Sequence, residues 1–542
     1  MVRNWMLWVA CISAVSLQAV PKPNVLVVML DDFGTGHFAP VARQLKLTEV
    51  DPAFLDYTAS LEESYDPQVA LEASRRAMPF METLAEQGVV FTRAFSASSL
   101  CAPARQGVLT GTSPTRWGAY RNIDINVCGL PEGRCLASGL QDQGYKTGFV
   151  GKWHVGSKDS ELRKKILAEG GTEAEVNQAG YRGSVIEKDH PHNNGFDYAY
   201  FYNFYECPFY NSELIWDNRT FTGNRHGYNT DLFTDKAIDF MEQSLDEGKP
   251  FFMDLALHAV HIPLDVDAPA EYAKRFDTGY TSIDQFYAHI YAVDRSIERM
   301  VDMLKRRGAW ENTLLFFLSD NGATCKVGDG DLSLVPGNGA HKGHKGQLFL
   351  GGTRIPMMMV WPERIKRAAV IGQTVSSMDV LPTALAAAGA RLPDNIDGKD
   401  LMQVVDNPEQ PLHARLFWTG IHAPAWGFSG KKTIVHAQQE RDRWPGGWAL
   451  VEGDYILRYI GTLDPGLEQA FPEGRAAFFS LHNMKDDPLE QKDLMQAKPE
   501  VAERMKAAYM KEADTLPAPY RFRHEAWAEL VPNPGKHLPR QR

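Results

Sequence analysis

Three runs of apolar, β-favouring residues in this chain each lead into polar side chains. Residues 24–30 (NVLVVML), 251–257 (FFMDLAL) and 313–318 (TLLFFL) are almost continuously apolar. Runs of this kind are typical of strands that are buried on both faces, as in a parallel sheet between helices. Open α/β sheets place their ligand sites at the carboxyl ends of such strands. The pattern therefore predicts an α/β fold with its functional site at one edge of the sheet.

The polar residues after the first and third runs are suited to hold a metal ion. Asp31 and Asp32 follow the first run, and Asp320 and Asn321 follow the third. Adjacent carboxylates repel each other unless a cation compensates the charge or water screens it. For the first pair, the alternative to a metal site is therefore a solvated turn. Four oxygen donors without an imidazole or a thiol favour calcium, with magnesium as the alternative.

Residues 99–111 (SLCAPARQGVLTG) add a cysteine followed by a proline and an arginine at fixed spacing. Pro103 suits the first turn of a helix that begins near Cys101, and Arg105 returns to the same face one turn later. The N-terminus of a helix also favours an anion. Taken by itself, the pattern fits a buried thiol beside a helix start equally well.

This stretch resembles the Cys-x-Pro-x-Arg signature of the type I sulfatases. Further blocks in family order extend the resemblance from about residue 24 to residue 495, with gaps at 36–77 and 157–194. The chain is on that basis identified as a member of the family. The resemblance implies an alkaline phosphatase-like fold and hydrolysis of sulfate esters.

The resemblance also implies a modified nucleophile. In the family a maturation enzyme, which would be a partner of this chain, oxidises the cysteine to formylglycine (3-oxoalanine), and the hydrated aldehyde attacks sulfur. Cys101 is then both the nucleophile and a metal ligand, and Arg105 holds the hydrate. Residues 144–154 (GYKTGFVGKWH) match the second sulfatase signature. They imply that Lys152 binds a sulfate oxygen and that His154 steadies the hydrate, and strand alternation predicts both on one face.

Two later blocks supply the remaining candidates. His261 matches the family's histidine before x-Pro and is the candidate general acid for the leaving alcohol, whereas His258 is either its neighbour or part of the core. Residues 345–356 (KGQLFLGGTRIP) resemble the family's lysine followed by Gly-Gly-x-Arg-x-Pro, which makes Lys345 the second lysine on the sulfate. Leu350 departs from the family, because an acidic residue is usual there, and this puts the local support of the loop in doubt.

Because the chain as a whole is acidic, binding of an anionic substrate would need a local cationic pocket. The chain has 57 basic and 68 acidic residues and a formal net charge of −11, which argues against nucleic acid as a partner. Arg105, Lys152, Lys345 and the metal would supply the positive charge that an anionic substrate needs. We expect a sulfated polysaccharide or glycosaminoglycan as substrate. The aromatic residues between 198 and 209 form either a sugar-stacking wall or part of the core.

Residues 1–19 have the pattern of a secretory signal peptide, with Arg3 ahead of a short apolar run. An uncleaved anchor is the alternative. No later stretch has 18 uninterrupted apolar residues, so no stable membrane insertion is expected. The prediction is a protein exported to the periplasm or secreted, from a bacterial host.

Export affects how the cysteines are interpreted. Removal of Cys11 leaves an odd number, and an oxidising compartment leaves one thiol over or consumed by other chemistry. Cys101 fits that role. A local bridge between Cys128 and Cys135 is then an option, and a pairing of Cys207 with Cys325 is another.

The domain prediction places a catalytic domain at 20–410 and a smaller subdomain at 411–542. The first is expected to hold a large mixed, mostly parallel sheet sandwiched by helices, and the second an antiparallel sheet in an α+β arrangement with a helix at 499–513. Helical spacing predicts a further helix over 283–307, and residues 36–77 read as a surface insertion.

Two alternatives to a sulfatase remain. One is a phosphonate or phosphate ester hydrolase of the same superfamily, whose metal set tends to include histidine where this chain has Asn321. The other is a catalytically dead glycan-binding protein, if Cys101 is never matured.

Overall fold

The computed structural model describes residues 22–59, 65–261, 266–324, 335–420, 447–461 and 477–517. The predicted signal peptide and Cys325 lie outside these residues. The strands are β1 Asn24–Leu30, β2 Val89–Phe91, β3 Ala94–Phe95, β4 Lys146–Lys152, β5 Tyr198–Tyr202, β6 Tyr210–Ser212, β7 Trp216–Asp217, β8 Thr220–Phe221, β9 Arg225–Tyr228, β10 Phe251–Ala256, β11 Thr313–Ser319, β12 Met357–Val360, β13 Ala369–Ile371, β14 Val375–Ser376, β15 Arg415–Gly420, β16 Gly447–Glu452, β17 Tyr455–Gly461 and β18 Ala477–Asn483.

Helices connect and cover these strands. They are α1 Ala39–Ala42, α2 Pro52–Ala59, α3 Pro67–Arg76, α4 Pro79–Ala85, α5 Cys101–Thr110, α6 Asn122–Cys128, α7 Leu136–Gln141, α8 Ser160–Ala168, α9 Glu173–Gln178, α10 Asn229–Asp246, α11 Ala270–Ala273, α12 Thr281–Arg306, α13 Leu350–Thr353, α14 Val380–Ala387, α15 Met402–Asp406 and α16 Pro499–Ala513. No described helix is both long enough and apolar enough to cross a membrane.

A ten-stranded sheet forms the centre of the molecule, in the order β13-β2-β12-β11-β1-β10-β4-β5-β7-β8. The five strands from β11 to β5 are all parallel, whereas β12 and β7 run antiparallel to their neighbours. All seven residues of β1 and of β11 are buried. The predicted mixed, mostly parallel sheet is therefore confirmed, and so are its apolar central strands.

Both faces of this sheet are covered, because alternate residues of β1 enter different cores. Leu26 and Val28 join a cluster that includes the apolar side of α12, whereas Val25 and Val27 join a cluster with α7 and α14. Each fully buried aliphatic side chain contributes roughly 1.5–3 kcal/mol. Continuous burial on both faces explains why these strands lack polar alternation.

In the segment 36–77, the described residues 36–59 and 65–77 include parts of the core, so for them the prediction of a surface insertion was wrong. Phe38 is fully buried, and Ala70 and Ala73 bring α3 against the core and against α12. Small residues at helical spacing give too weak an apolar signal to reveal a buried helix. The predicted helix at 283–307 is α12, which spans Thr281–Arg306.

The C-terminal part forms a second, antiparallel sheet in the order β15-β16-β17-β18, and α16 packs against it. This agrees with the predicted fold class. The Trp418 ring packs on Phe95 at 5.3 Å, and its Nε1 donates to the Ser96 carbonyl over 2.8 Å. This sheet thus adjoins the loop that leads to Cys101. The domain boundary near residue 410 stays a prediction.

Cys128 and Cys135 are free cysteines, so the optional bridge between them is absent from this structure. The Gln106 amide donates to the Cys128 sulfur over 3.7 Å, while Cys135 is buried in the core at the start of α7. Short spacing along a chain does not make two sulfurs meet, since a disulfide needs a specific Cβ geometry.

Candidate active site

The polar residues that follow β1, β4 and β11 meet at the carboxyl edge of the sheet. Lys152 ends β4, and its Nζ donates to Asp31 Oδ2 over 2.5 Å. Both side chains are completely buried. Buried charges in proteins are usually paired with an opposite charge. The parallel order of the strands makes this pair possible, because it brings the carboxyl ends of β1 and β4 to the same edge of the sheet.

Arg105 joins the strand ends to the start of α5. Its Nε and Nη2 donate to Asp320 Oδ2 over 3.1 and 2.7 Å, and its Nη1 donates to the Lys152 carbonyl over 2.9 Å. Asp31 Oδ2 lies 3.6 Å from Nη2. The planar guanidinium of Arg105 thus holds the Asp320 carboxylate in one orientation and places a positive charge next to Asp31.

Asp32 collects the next group of contacts. Lys345 Nζ donates to its Oδ2 over 2.9 Å, and Asn321 Nδ2 donates to its Oδ1 over 2.7 Å. His261 Nε2 lies 3.7 Å from Oδ2. Burial alone would raise the pKa of Asp32, but Lys345 and then His261 outweigh it and hold that pKa below its usual value. Asp32 is therefore an ionised carboxylate.

Cys101 begins α5 and is 1% exposed. Its Sγ and one ligand atom each of Asp31, Asp32 and His261 all lie within 4.8 Å of one another. Burial raises the pKa of the Cys101 thiol, although Lys152 and Lys345 oppose the rise. An unmodified Cys101 is thus a protonated, weak nucleophile.

Two buried oxygen atoms among the polar residues at the strand ends lack hydrogen bonds. Within the described residues, Asp31 Oδ1 and Asn321 Oδ1 have no donor, although buried acceptors are rarely left without one. Burial and the nearby Asp31 raise the pKa of Asp320, against Arg105 and two lysines. A hard cation would satisfy the oxygens and relieve the repulsion, so this donor set fits a divalent metal ion.

His154 reaches the site by a different route from the predicted one. β4 ends at Lys152, and His154 has a left-handed backbone with φ = 52°, so the expected strand alternation is wrong. Burial, then Lys152 and Arg105, lower the pKa of His154 well below its ordinary value. His154 is therefore a neutral imidazole next to these cations, and the structure still brings it to the site.

The loop that carries Lys345 is held from both sides. The Lys345 amide donates to the Ala323 carbonyl over 3.0 Å, and the Gly346 amide donates to the Ser99 carbonyl over 2.8 Å. The Asn338 amide donates to the carbonyls of Ala323 and Gly343. Lys345 is therefore tied to both the loop after β11 and the segment before Cys101. Sequence reasoning missed Asn338, which no motif marked.

The doubt raised by Leu350 is answered by a residue from the C-terminal part. Glu490 Oε1 accepts from the Leu350 amide over 2.7 Å, and Glu490 Oε2 lies 2.5 Å from Arg458 Nη2. Arg458 also donates to the Leu348 carbonyl over 2.8 Å and stacks on Phe349 at 4.5 Å. Both charged side chains are completely buried. A distant acid thus supports the loop after Lys345, which no local pattern could reveal.

Two open alternatives are settled by burial. His258 is fully buried, contacts the Phe209 ring at 4.3 Å, and has no hydrogen bond from either ring nitrogen within the described residues. It belongs to the core. In the aromatic segment Tyr200, Phe201, Tyr202 and Phe209 are buried as well, so it is mainly core, and only Tyr205 is exposed.

Comparison with known proteins agrees with this geometry. A family model described as Sulfatase matches residues 23–390. An uncharacterized sulfatase, YdeN, of Escherichia coli strain K12 is 30% identical over 92% of this chain and 86% of its own. The N-acetylgalactosamine-6-sulfatase of Mus musculus is 28% identical over 75% of this chain and 72% of its own.

A solved structure shares the fold. It is described as Ps i-CgsB in complex with k-i-k-neocarrahexaose, has a TM-score of 0.68 at 21% identity, and the match covers 93% of this chain and 95% of that one. The extent of the family match and the similarity to YdeN establish the kinship. This chain therefore belongs to the sulfatase family of the alkaline phosphatase-like superfamily and is a sulfuric ester hydrolase.

Proposed function

We propose that this protein removes sulfate groups from a sulfated polysaccharide or glycosaminoglycan, with Cys101 matured to formylglycine and a bound calcium ion. Sulfatases generally use both a formylglycine and a divalent metal. The observation that carries the proposal is the buried group of Asp31, Asp32, Cys101 and His261, whose ligand atoms lie within 4.8 Å of one another, together with the lack of a hydrogen bond at Asp31 Oδ1 and Asn321 Oδ1.

Asp31, Asp32, Asp320 and Asn321 would hold the cation, with the modified Cys101 as a further ligand. Oxygen donors of this kind favour calcium, with magnesium as the alternative. When bound, the ion neutralises sulfate charge and orients the nucleophilic oxygen. The three carboxylates balance Arg105, Lys152 and Lys345, so a divalent cation leaves the site net positive for a sulfate ester.

The residues around Cys101 would orient its modified side chain. Formylglycine supplies a nucleophilic hydroxyl that a buried, protonated thiol does not. Arg105 lies between Asp320 and Asp31 and would keep the hydrate in place. His154 is neutral, so its imidazole can accept or donate a proton at the hydrate.

Two lysines and a histidine would act on the substrate. Lys152 and Lys345 already donate to carboxylate oxygens over 2.5 and 2.9 Å. Each ammonium group has three N–H donors, so either can donate a further hydrogen bond to a sulfate oxygen. His261 Nε2 lies 3.7 Å from Asp32 Oδ2. It would protonate the leaving alcohol as general acid.

The substrate class rests on relatives of stated specificity. The names of the N-acetylgalactosamine-6-sulfatase and of the structure bound to neocarrahexaose both refer to sugars. A role outside the cytoplasm, after export and after action of a formylglycine-generating maturation enzyme, fits such a substrate.

Mass spectrometry of the peptide that contains Cys101 tests the modification directly. In an active preparation we expect a mass lower than that of the cysteine form, together with an aldehyde-specific adduct. The same preparation is assayed on sulfated oligosaccharides, 4-nitrophenyl sulfate and a phenyl phosphonate ester. An unmodified thiol in active enzyme would exclude the formylglycine mechanism, and faster turnover of the phosphonate would favour the alternative hydrolase.

A further inference from the structure

A cationic and aromatic cluster lies beyond the carboxyl ends of β4 and β5. Lys158 Nζ lies 4.2 Å from the centre of the Phe204 ring and 5.8 Å from that of Tyr181, and the Arg182 guanidinium lies 5.2 Å from the Phe204 ring. Tyr205 packs on Phe204 at 4.2 Å and is 48% exposed. Two cations therefore share one aromatic ring at the protein surface.

The charge of this cluster is not matched by acids. Within the described part of the chain, neither Lys158 nor Arg182 has an ion pair with a carboxylate. The neighbouring Asp159 instead accepts from two amides at the start of α8, and Glu206 contacts the Tyr205 side chain. In a protein of net charge −11, two adjacent cations without a carboxylate are suited to bind an external anion.

The cluster is fixed to the active-site edge of the sheet. Asn203 follows β5 directly, and its amide donates to the carbonyls of Gly156 and Ser184 over 3.2 and 3.1 Å. These bonds join the loop after Lys152 to the segment that carries Arg182. The Trp153 amide also donates to the Tyr202 carbonyl over 2.9 Å, which continues the ladder between β4 and β5.

The chain on both sides of Phe204 lies near catalytic groups. Tyr202 precedes it, and Asp31 and Arg105 are close enough to influence the pKa of the Tyr202 hydroxyl. Cys207 follows it, and Lys152 opposes the rise that burial causes in the pKa of that thiol. Phe204 therefore belongs to a segment whose residues on both sides lie near the catalytic charges.

We propose that Lys158, Arg182 and Phe204 form a second subsite, which binds an anionic group on a sugar adjacent to the one that is desulfated. The anion is a sulfate ester or a uronate carboxylate, and Phe204 with Tyr205 offers an aromatic surface to the sugar ring. This inference rests on the proposed function and names its substrate as a glycan with at least two anionic groups.

The test compares Lys158→Ala and Arg182→Ala with the wild-type protein. Lys164→Ala is the control, because Lys164 is an exposed lysine paired with Glu161. Substrates are 4-nitrophenyl sulfate and size-matched oligosaccharides from carrageenan, which lacks uronate, and from chondroitin sulfate, each carrying one or two sulfate groups. Loss of a charged hydrogen bond is expected to lower kcat/KM at least about tenfold on one doubly anionic series.

The expected pattern is loss on the doubly anionic oligosaccharides with 4-nitrophenyl sulfate within about twofold. Loss confined to the doubly sulfated carrageenan series identifies a sulfate as ligand, and loss on singly sulfated chondroitin identifies the uronate. Equal rates for variants and wild type on every oligosaccharide, or equal loss on 4-nitrophenyl sulfate, overturn the subsite.

A binding measurement separates this inference from the proposed function. Calorimetric titration of the same oligosaccharides into Cys101→Ala protein, with and without Lys158→Ala, needs no turnover. Weaker binding in the double variant supports the subsite. If the wild type at the same time hydrolyses no sulfate, only the proposed activity is rejected. Unchanged binding together with normal hydrolysis rejects only the subsite.

Discussion

Two groups of buried charge in this molecule differ in how many like charges lie together. At the active site three carboxylates face three cations, and Asp31 Oδ1 and Asn321 Oδ1 receive no hydrogen bond within the described residues. In the C-terminal part there is a single matched pair, in which Arg458 Nη2 lies 2.5 Å from Glu490 Oε2, and both side chains also bond to the backbone of the Lys345 loop.

The difference separates a site for a ligand from a structural support. A single pair of opposite charges neutralises itself, whereas three neighbouring carboxylates repel one another and favour a cation between them. Substitutions at the first group are therefore expected to change activity more than stability, and those at the second to change stability first.

The largest expected effect is loss of turnover at the active site. Cys101→Ala should reduce kcat at least about a thousandfold, because no other residue supplies the nucleophile. Thermal unfolding should change little, because one small buried side chain replaces another. Cys128→Ala, which alters a partly buried cysteine away from the site, is the matched control and should stay active. Retained turnover in Cys101→Ala would mean that another group attacks sulfur.

The next effect is on stability, at the matched pair. Glu490→Gln leaves a buried Arg458 without its carboxylate and should cost about 3–5 kcal/mol in the free energy of unfolding. An exposed control, Arg415→Gln, loses a pair with Glu452 and should cost less than about 1 kcal/mol. Urea unfolding monitored by fluorescence measures both. Similar values for the two variants would show that the buried pair has no special role.

A third prediction concerns the ligand-binding side of the comparison. Calcium at about 100 times its dissociation constant should raise the free energy of unfolding by about 2.7 kcal/mol, because it binds only the folded site. Asn321→Ala should weaken this increase, whereas Arg415→Gln should keep it. Chelation should remove both the stabilisation and the activity, and calcium should restore them. An increase of the same size in Asn321→Ala would place the ion elsewhere.

The smallest effect uses a buried carboxyl in β10, Asp254, whose Oδ1 has no hydrogen bond within the described residues. Burial raises the pKa of Asp254 to about 7, with Arg105 opposing, so the folded protein holds this proton more tightly than the unfolded chain does. Its stabilising contribution is therefore complete below pH 4 and is lost as the pH rises to about 7.

Asp254→Asn should remove this dependence. The variant should gain stability relative to wild type between pH 5 and pH 8, as measured by thermal unfolding at both values. Asp239→Asn, on the exposed side of α10, is a control that should show no such trend. A constant difference across the pH range would mean that Asp254 is ionised in the folded state.

Much of the site was predictable because its residues stand at strand ends. Asp31, Asp32, Asp320 and Asn321 directly follow apolar runs, and strands that are parallel bring their carboxyl ends together. Helical spacing places Arg105 on the same face as Cys101, but the roles of both residues, like those of Lys345 and His261, came only from the resemblance. The alternation argument for His154 failed, since the strand stops before it and the backbone turns into a left-handed conformation.

The buried parallel strands, the polar pairs at their ends and the cysteine at the start of a helix could all be read from the sequence, because each depends on neighbouring residues. The burial of α3, the support of the Lys345 loop by Glu490 and the sharing of the Phe204 ring by Lys158 and Arg182 became visible only in the folded molecule. These contacts join residues far apart in the chain, and no local pattern of polarity specifies which distant partner fills a gap.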